Sequence, residues 1–311
     1  MVLNTSLQRI DLETRGRVME FLRRYPPAVC EQSFANLYNW RHSEPVHFLD
    51  LGDTIVFVAM LAGEHGGNHI LGPPIGTDPG PARLRDLIPG LRGYIRVTEP
   101  VAARLADEGL QVAADPDNDD FVYLVADLAT LSGERFHKKR NLVKQCLDSY
   151  ACRYEPIGPA NIPECLAMQA EWCGQRQCER DPGLCHEYDA IREAFARFEA
   201  LALLGGVIRV EGTVRAYAVG EQLAPDTAVC HFEKAMPGFK GLSQLMTSWF
   251  AGNALAGYMF VNREQDLGIP GLRQAKQSYF PAHKVHKFHA RFETVPGPDN
   301  YGGRECDRVD E

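Results

Sequence analysis

The sequence predicts a mixed α/β protein made of two similar domains, and three observations support this prediction. The 311 residues exceed what one small core requires, and the apolar (45%) and charged (24%) fractions are those of an ordinary globular chain. The second half alternates strand-like with helix-like segments, which is typical of a mixed sheet with helices on its faces. The first half follows a looser version of the same order, without a clear residue-level repeat.

The first domain is predicted at residues 1–150. Apolar residues at helical spacing predict a helix at Asp11–Arg24, which Pro26 and Pro27 terminate. Apolar runs bounded by turn residues predict strands at Val46–Leu51, Thr54–Met60, Tyr94–Thr98, Gln111–Ala114 and Phe121–Val125. Further helices are expected after the Gly/Pro-rich loop at 72–81, at Pro100–Glu108 and at Ser132–Asp148, where Ser132 is the expected N-cap.

The second domain is predicted at residues 151–295, because the three prolines of Tyr154–Pro163 mark a boundary. Helices are expected at Pro163–Gln175, Glu187–Leu204, Leu242–Ala256 and Pro270–Tyr279, with Gly205 and Gly206 ending the second of them. Strands are expected at Val207–Val210, Val214–Glu221, Thr227–Ala235, Tyr258–Asn262 and Val285–Phe292. Residues 296–311 are acidic and rich in Gly, which predicts a mobile tail.

Charge and hydropathy exclude several classes of protein. The net charge of −8 disfavours a general DNA-binding protein but leaves room for a local basic groove that holds a tRNA end or a nucleotide. No apolar run reaches the roughly 20 residues that span a bilayer, so no integral membrane segment is expected. The N-terminal segment lacks the apolar core of a signal peptide. These features predict a cytoplasmic protein.

The nine cysteines predict reduced thiols, because their number is odd and their spacing is irregular. Zinc is not expected at the group formed by Cys165, Cys173, Cys178 and Cys185, which contains no C-x-x-C pair. The sequence also lacks the common dinucleotide-binding, Walker A, serine-hydrolase and zincin motifs. The chemistry must therefore be sought in other clusters of polar residues.

A run of polar residues, 262–266, follows the predicted buried strand Tyr258–Asn262. Polar side chains at the end of a central strand are typical of a ligand site in an open α/β sheet. In the next helix, Lys276 lies on the same stripe as Leu272 and Tyr279 and therefore needs a counter-ion, which Glu264 or Asp266 can supply. The alternative is a structural salt-bridge cluster that locks the helix to the sheet.

The predicted strand Thr227–Ala235 carries a second candidate group. Alternation along a strand places His231 and Glu233 on one face, and Phe232 and Lys234 on the other. A carboxylate above a cleft can act as a general base towards an amine. The alternative is a partly buried ion pair between Glu233 or Lys234 and neighbouring residues.

Two further segments are candidates for binding an anion. The helix Ser132–Asp148 carries a basic run, in which Lys138, Lys139 and Arg140 can hold a phosphate or a carboxylate. The alternative is an ordinary solvated helix face. The loop 236–241 (MPGFKG) precedes a helix, whose N-terminal N–H groups can hold a pyrophosphate, but two glycines more often form only a turn.

Four segments together resemble the soluble bacterial relatives of the phosphatidylglycerol lysyltransferase C-terminal domain. They are DLATLSGERFHKKRN (127–141), GGVIRVEGTVRAYAVGE (205–221), VCHFEKA (229–235) and FVNREQDLGIPGLRQAKQSYFP (260–281). The resemblance covers the chain from Phe121 to Phe292 clearly and the first third loosely. The positions that match the family are Lys138, Arg140, Asn141, Glu233, Lys234, Asn262, Glu264, Asp266, Arg273, Lys276 and Tyr279.

This resemblance implies two tandem acetyltransferase-like domains of the GNAT kind, with the main site in the second. It also implies an acyl- or aminoacyltransferase that takes its group from aminoacyl-tRNA or acyl-coenzyme A. The acceptor is expected to be the amine or hydroxyl of a small molecule or peptide, and a lipid acceptor is not implied. The rival hypothesis is a non-catalytic module of the same fold that binds a small anion or a partner. A third possibility is that the first domain has a protein-interaction role.

The resemblance does not decide which matched residues are catalytic, but the mechanism expected for such a transferase gives each of them a role. Glu233 or Asp266 is expected to take the proton of the attacking amine. Arg273, Lys276 and Arg140 are expected to hold phosphate or the developing negative charge. Lys138, Asn141, Lys234, Asn262, Glu264 and Tyr279 are expected to contact the substrate or its phosphate.

Overall fold

The computed structural model describes residues 6–62 and 66–292. The predicted mobile tail at 296–311 lies outside these residues. The strands are β1 (Gln8–Arg9), β2 (Val46–Asp50), β3 (Thr54–Leu61), β4 (Gly67–Leu71), β5 (Ile75–Gly76), β6 (Leu91–Thr98), β7 (Gln111–Ala114), β8 (Asp120–Leu124), β9 (Cys152–Pro156), β10 (Leu204–Val210), β11 (Thr213–Ala224), β12 (Thr227–Ala235), β13 (Phe260–Asn262), β14 (His283–Val285) and β15 (Lys287–Arg291). The α-helices are α1 (Arg15–Arg24), α2 (Phe34–Asn39), α3 (Pro81–Leu87), α4 (Glu99–Asp107), α5 (Val125–Thr130), α6 (His137–Ser149), α7 (Ile162–Arg176), α8 (Pro182–Ala196), α9 (Leu242–Asn253) and α10 (Pro270–Gln277).

The strands form two mixed sheets, as the sequence predicts. The first sheet has the order β1-β2-β3-β4-β6-β15-β7, with β5 paired to β3. The second has the order β14-β8-β13-β12-β11-β10-β9. Helices flank both sheets, so the predicted α/β class is confirmed. No helix in the described ranges is long and apolar enough to cross a membrane.

The same sequence of elements occurs in each sheet. In the first, β2, β3 and β4 form an antiparallel meander, and β4 then pairs with β6 in parallel after a connection that contains α3. In the second, β10, β11 and β12 form the meander, and β12 pairs with β13 in parallel across α9. Helical crossovers suit parallel neighbours, because the chain must return to the same end of the sheet. The two halves are therefore structural repeats.

The two repeats exchange their last strands. The strand β8, which follows the first repeat, lies between β13 and β14 in the second sheet. The strand β15, which follows the second repeat, lies between β6 and β7 in the first sheet. The sheets consequently divide the chain near residue 115 and take β15 back into the first sheet. The domain boundary at residue 150 remains a prediction, and β9 belongs to the second sheet rather than to a linker.

An apolar core joins the two repeats. Helix α2 of the first repeat packs against α8 of the second. Phe34 and Leu37 of α2 lie in the same buried cluster as Phe195 of α8 and Tyr217 and Phe232 of the second sheet. A second cluster on the opposite face of that sheet involves α5, α6 and α9. The second sheet is thus covered on one face by its own helices and on the other partly by the first repeat.

Among the predicted helices, two differ most from the structure in their bounds. The helix expected to run to Leu204 ends at Ala196, because Phe198 and Leu201 continue the apolar pattern in a buried non-helical segment in which Ala202 has φ 56°. Gly205 lies in β10, where a Cβ atom would come within 2.7 Å of the Ile157 side chain. Helix α6 starts at His137, after a short 3₁₀ turn, so Ser132 is not its N-cap.

Candidate functional site

The parallel strands β12 and β13 pair over only three residues and then separate. Their register runs from Thr227–Phe260 to Val229–Asn262. Beyond Asn262 the chain stays with β8, since Arg263 and Glu264 exchange backbone hydrogen bonds with Phe121. We call the space between residues 231–235 of β12 and residues 263–264 the strand gap. Side chains from both borders meet across it.

A β-bulge at His231 shapes one border of the strand gap. Cys230 pairs with Gly220 and Phe232 pairs with Val219, which leaves His231 as the extra residue. Bulges re-aim side chains and are frequent beside active sites. The predicted sharing of one face by His231 and Glu233 is therefore wrong, because the alternation breaks at the bulge and the two side chains have different partners.

Glu233 and Arg263 face each other across the strand gap. Glu233 Oε2 lies 3.2 Å from Arg263 Nη2, and its Oε1 accepts a hydrogen bond of 2.7 Å from the hydroxyl of Thr247 in α9. The Arg263 guanidinium lies over the rings of Tyr123 and Tyr279. Its Nη1 is buried and has no hydrogen-bond partner among the described residues. The site therefore contains a carboxylate beside an unused N–H donor.

Lys276 lies behind this pair and fixes the turn that follows β13. Its ammonium donates to the backbone carbonyls of Arg263 and Glu264 rather than to a carboxylate. Tyr123 donates its hydroxyl to the Lys276 carbonyl at 2.9 Å. Burial, together with the neighbouring Arg263 charge, lowers the pKa of Lys276 to about 8. An amine with this pKa can exchange a proton near neutral pH.

The His231 ring contacts two carboxylates, and each carboxylate also accepts a hydrogen bond from α2 of the first repeat. Its Nδ1 lies 2.8 Å from Glu264 Oε1 and its Nε2 lies 3.1 Å from Glu221 Oε1. Asn36 of α2 also donates to Glu264, and the Ala35 N–H donates to Glu221. Burial opposes the imidazolium, but the two carboxylates outweigh it and raise the pKa of His231 to about 9.

The raised pKa of His231 predicts a pH-dependent contribution to stability. The contribution is fully present below pH 6.5, the ordinary value, and is lost as pH rises towards 9. The stability advantage of the native protein over His231→Gln should therefore fall by roughly 3 kcal/mol between pH 6 and pH 9.5. Urea unfolding of both proteins at the two pH values measures this difference. An advantage that stays constant with pH would contradict the assignment of an imidazolium.

A second buried cluster lies where the exchanged strands cross. The Lys287 ammonium at the start of β15 donates to Asp120 Oδ1 at 2.6 Å and to both Glu31 oxygens at 2.7 and 2.8 Å. Burial opposes the charge of Lys287, but its acidic neighbours raise its pKa. Asn262 donates to Asp120 at 2.8 Å and accepts from the Glu264 N–H at 2.8 Å. Through Asn262 this cluster adjoins the strand gap.

This cluster has the donor atoms of a metal site but holds its own cation. Cys30, Glu31 and Asp120 each place one donor atom within 4.8 Å of the others. The Lys287 ammonium is within hydrogen-bond distance of both carboxylates, and burial together with Asp120 raises the pKa of the Cys30 thiol. A protonated thiol is a poor metal ligand, and the Lys287 ammonium already occupies the place that a metal cation would take. The group is therefore an ion cluster rather than a metal centre. In the described part of the chain, the cysteines at 165, 173, 178 and 185 do not form a second such group.

The structure brings together several of the residues that the sequence singled out. Glu233, Glu264, Lys276 and Tyr279 lie around the strand gap, and burial raises the pKa of the Tyr279 phenol. Glu264 has a left-handed backbone, with φ 59°, which is uncommon outside glycine and occurs at functional sites. The polar end of β13 is therefore the organising element of the site.

Asp266 and Arg273 form a separate unit. The fully buried Asp266 side chain accepts from Arg273 Nε at 2.7 Å and Nη2 at 2.8 Å, and also from the Gly268 N–H at 3.0 Å. Arg273 additionally contacts Asp117 at 2.7 Å. The hydrogen bonds from Arg273 are the main cause of a lowered pKa at Asp266, and the Gly268 N–H lowers it further. The pair pins the loop between β13 and α10 to the residues before β8.

Four other candidates do not place their side chains in the strand gap. Lys138 and Asn141 are exposed on α6, where Asn141 contacts His137. Arg140 donates to the backbone carbonyls of Leu131 and Gly133 and so fixes the loop before α6. Lys234 pairs with Glu187 at 2.7 Å on the face covered by α7 and α8.

In the loop before α9, glycine is required at position 241 for a structural reason. Gly241 has φ 85°, and a Cβ atom there would lie 2.0 Å from the Leu142 carbonyl oxygen of α6. Glycine is therefore needed at this position so that α6 and α9 can approach closely.

Sequence reasoning missed several residues of the site. Arg263 was part of the noted polar run, but nothing in the pattern distinguished it from its neighbours. Glu221 is an acid at the end of an apolar strand run, and that burial conflict was the available signal. Lys139 is predicted only as part of the basic run, and the sequence does not indicate its position 2.7 Å from Ser278 and 4.1 Å from the Tyr279 ring centre. Lys287 carries no such signal, because its strand also contains His289 and Arg291.

Comparison with known proteins gives the family. The model of the phosphatidylglycerol lysyltransferase C-terminal family matches residues 22–291. A conserved protein of unknown function from Bacteroides thetaiotaomicron is 32% identical, with 94% of this chain and 100% of that chain covered and a TM-score of 0.85. No curated protein sequence matches the chain.

Two more distant structures show the same fold. The L-PGS of Bacillus licheniformis is 14% identical, with 93% of this chain and 95% of that chain covered and a TM-score of 0.61. A tandem GNAT protein from the clavulanic acid biosynthesis pathway is 10% identical, with 95% and 99% covered and a TM-score of 0.52. The expected tandem acetyltransferase-like fold is thus confirmed. The chain belongs to the phosphatidylglycerol lysyltransferase C-terminal domain family.

Proposed function

We propose that the chain is an acyl- or aminoacyltransferase whose reaction takes place at the strand gap of the second repeat. Family membership supports the class of reaction. The observation that carries the proposal is the Glu233–Arg263 pair, which spans the gap between two parallel strands and leaves one guanidinium N–H unused. A base beside a free donor is the combination that acyl transfer to an amine requires.

In the proposed step, the nitrogen of an acceptor amine attacks the carbonyl carbon of an ester or thioester donor. The new C–N bond forms first and gives a tetrahedral intermediate, the amine proton passes to the Glu233 carboxylate, and the C–O or C–S bond then breaks. Arg263 Nη1 donates to the oxygen that becomes negative in the tetrahedral intermediate. A hydroxyl acceptor follows the same course, with a C–O bond formed instead.

Lys276 completes the proposed chemistry. The departing oxygen or sulfur needs a proton, and an ammonium whose pKa lies about 8 can give one at neutral pH. The ammonium already lies against the carbonyls that border the strand gap. Asp266 and Arg273 use their hydrogen-bonding capacity on each other, so we assign them to positioning the loop. Glu233 is then the preferred proton acceptor.

The donor is best identified by a panel assay. The purified full chain is incubated with aminoacyl-tRNAs and with acyl-coenzyme A thioesters, each with a mixture of small amines and peptides. We expect one donor class to be consumed in an acceptor-dependent manner, since transfer needs both substrates. Ligand-induced stabilisation without donor consumption would favour the non-catalytic binding module instead.

A further inference from the structure

A cavity of about 340 Å³ lies between the first repeat and the second sheet. We call it the α2 cavity. Helix α1 and the start of α2 form one wall, and the ends of β10 and β11 form the other. Its lining is mainly apolar and includes Met19, Leu22, Phe34, Leu201 and Leu223. A cavity of this size and character suits a small ligand with an apolar body.

Three polar groups in the lining have unused hydrogen-bonding capacity: Glu221, Ser33 and Arg15, whose buried Nε has no partner among the described residues. Glu221 is 95% buried, and its Oε1 accepts both the Ala35 N–H and the His231 ring. Its Oε2 accepts no hydrogen bond from the described residues. The hydroxyl of Ser33 is also buried without a partner in this part of the chain. A buried hydroxyl without a partner is costly unless a ligand or water completes it, and the second Glu221 oxygen is an acceptor in the same lining.

The charge around Glu221 is not balanced. His231 is one cation shared between two carboxylates, Glu221 and Glu264, so the three groups together carry a net negative charge. Glu221 is the member of this trio that lines the α2 cavity. Arg15 and Arg23 lie on the α1 wall, and the Arg15 guanidinium lies over the Phe34 ring. The cavity therefore offers one anionic point, an apolar body and a separate cationic wall.

We propose that the α2 cavity binds a primary ammonium group carried on an apolar chain, with the ammonium on Glu221 Oε2 and Ser33. A carboxylate or phosphate at the other end of such a ligand would meet Arg15 and Arg23. His231 bridges Glu221 of this cavity to Glu264, which borders the strand gap, so the bound ammonium anchors the acceptor beside the gap and is not the attacking nitrogen. This inference rests on the proposed function for its place in the reaction, but the binding itself does not depend on turnover.

The test uses four probes of one size that differ in charge: hexylammonium, 6-aminohexanoate, hexanoate and hexanol. Binding to the full chain is measured by calorimetry, with no donor present. Hexylammonium and 6-aminohexanoate should bind at least tenfold more tightly than hexanol, because only they place an ammonium against the carboxylate. Hexanoate or hexanol binding as tightly as hexylammonium would overturn the proposal.

Glu221→Gln should weaken hexylammonium binding at least tenfold and leave hexanol binding unchanged. Glu221 also contacts His231, so a second variant is needed in case Glu221→Gln misfolds. Ala224→Phe places a large side chain in the cavity from a different lining position and should abolish the binding of both hexylammonium and hexanol. Unchanged hexylammonium binding in either folded variant would overturn the proposal.

Inhibition of transfer then identifies the source of the ammonium group. Competition by hexylammonium with the acceptor supports an acceptor amine in the cavity. Competition with the donor supports the α-amine of an aminoacyl group and overturns the acceptor assignment. If no transfer is found but the ammonium probes still bind, the proposed function fails while the binding site stands.

Discussion

Replacing Lys287 with methionine is expected to lower the free energy of unfolding by about 3–5 kcal/mol, because the variant leaves Glu31 and Asp120 without their shared counter-ion. All three side chains are at least 90% buried, so water cannot take over the role of the ammonium. The effect is large for one residue because Lys287 also ties the exchanged strand β15 to β8. Urea unfolding followed by circular dichroism measures the loss.

Lys284→Met is the matched control. Lys284 lies three residues earlier, is 28% exposed and approaches Asp119 only to 3.6 Å. Because this contact is long, Lys284 is partly exposed and Asp119 also contacts His286 and the Lys287 N–H, the loss should be less than about 1 kcal/mol. Equal losses in the two variants would mean that the buried cluster at the strand crossing does not hold the exchanged strands in place.

Glu233→Gln is expected to reduce turnover by about 10²–10⁴-fold, the range that general-base catalysis contributes. The amide keeps the size of the side chain and can still contact Thr247, so the strand gap should stay intact. The KM of the acceptor should change far less than kcat, since the lost function is proton transfer. Steady-state kinetics with the donor found in the panel assay gives both values.

Glu187→Gln provides the control for that variant. It is the same replacement of a partly buried carboxylate that is paired with a cation of β12, at 2.7 Å from Lys234, but on the face covered by α7 and α8. We expect its turnover to remain within about threefold of the native protein, because the substitution lies away from the proposed reacting groups. Similar losses in both variants would indicate a structural rather than a chemical role for Glu233.

Local periodicity explains why the fold class was predictable from the sequence. The strand pattern at Thr227–Ala235 and the helical pattern at Leu242–Asn253 are set by which side chains face the core. The exchange of β8 and β15 leaves no such local signal. Whether a terminal strand pairs with its own repeat or the other is decided by contacts such as Asp120 with Lys287, which lie 167 residues apart in the chain.

The candidate site was predictable where polar residues interrupt an apolar strand. Glu233 and Glu264 were identified in this way, Lys276 was identified from the stripe of the next helix, and all three lie around the strand gap. The bulge at His231 depends on its pairing with β11, which no pattern in β12 alone could reveal. Helix α2, which brings Ala35 to Glu221, is only six residues long and too short for its period to stand out.

The most direct measurement of the central claim is detection of the transferred product itself. The full chain is mixed with an isotopically labelled donor and an amine acceptor, and the amide is identified by mass spectrometry for the native protein and for Glu233→Gln. The account predicts a labelled amide from the native protein and at most about one hundredth as much from the variant. An equal yield from the two proteins, or donor hydrolysis with no amide from the native protein, would contradict transfer at the strand gap.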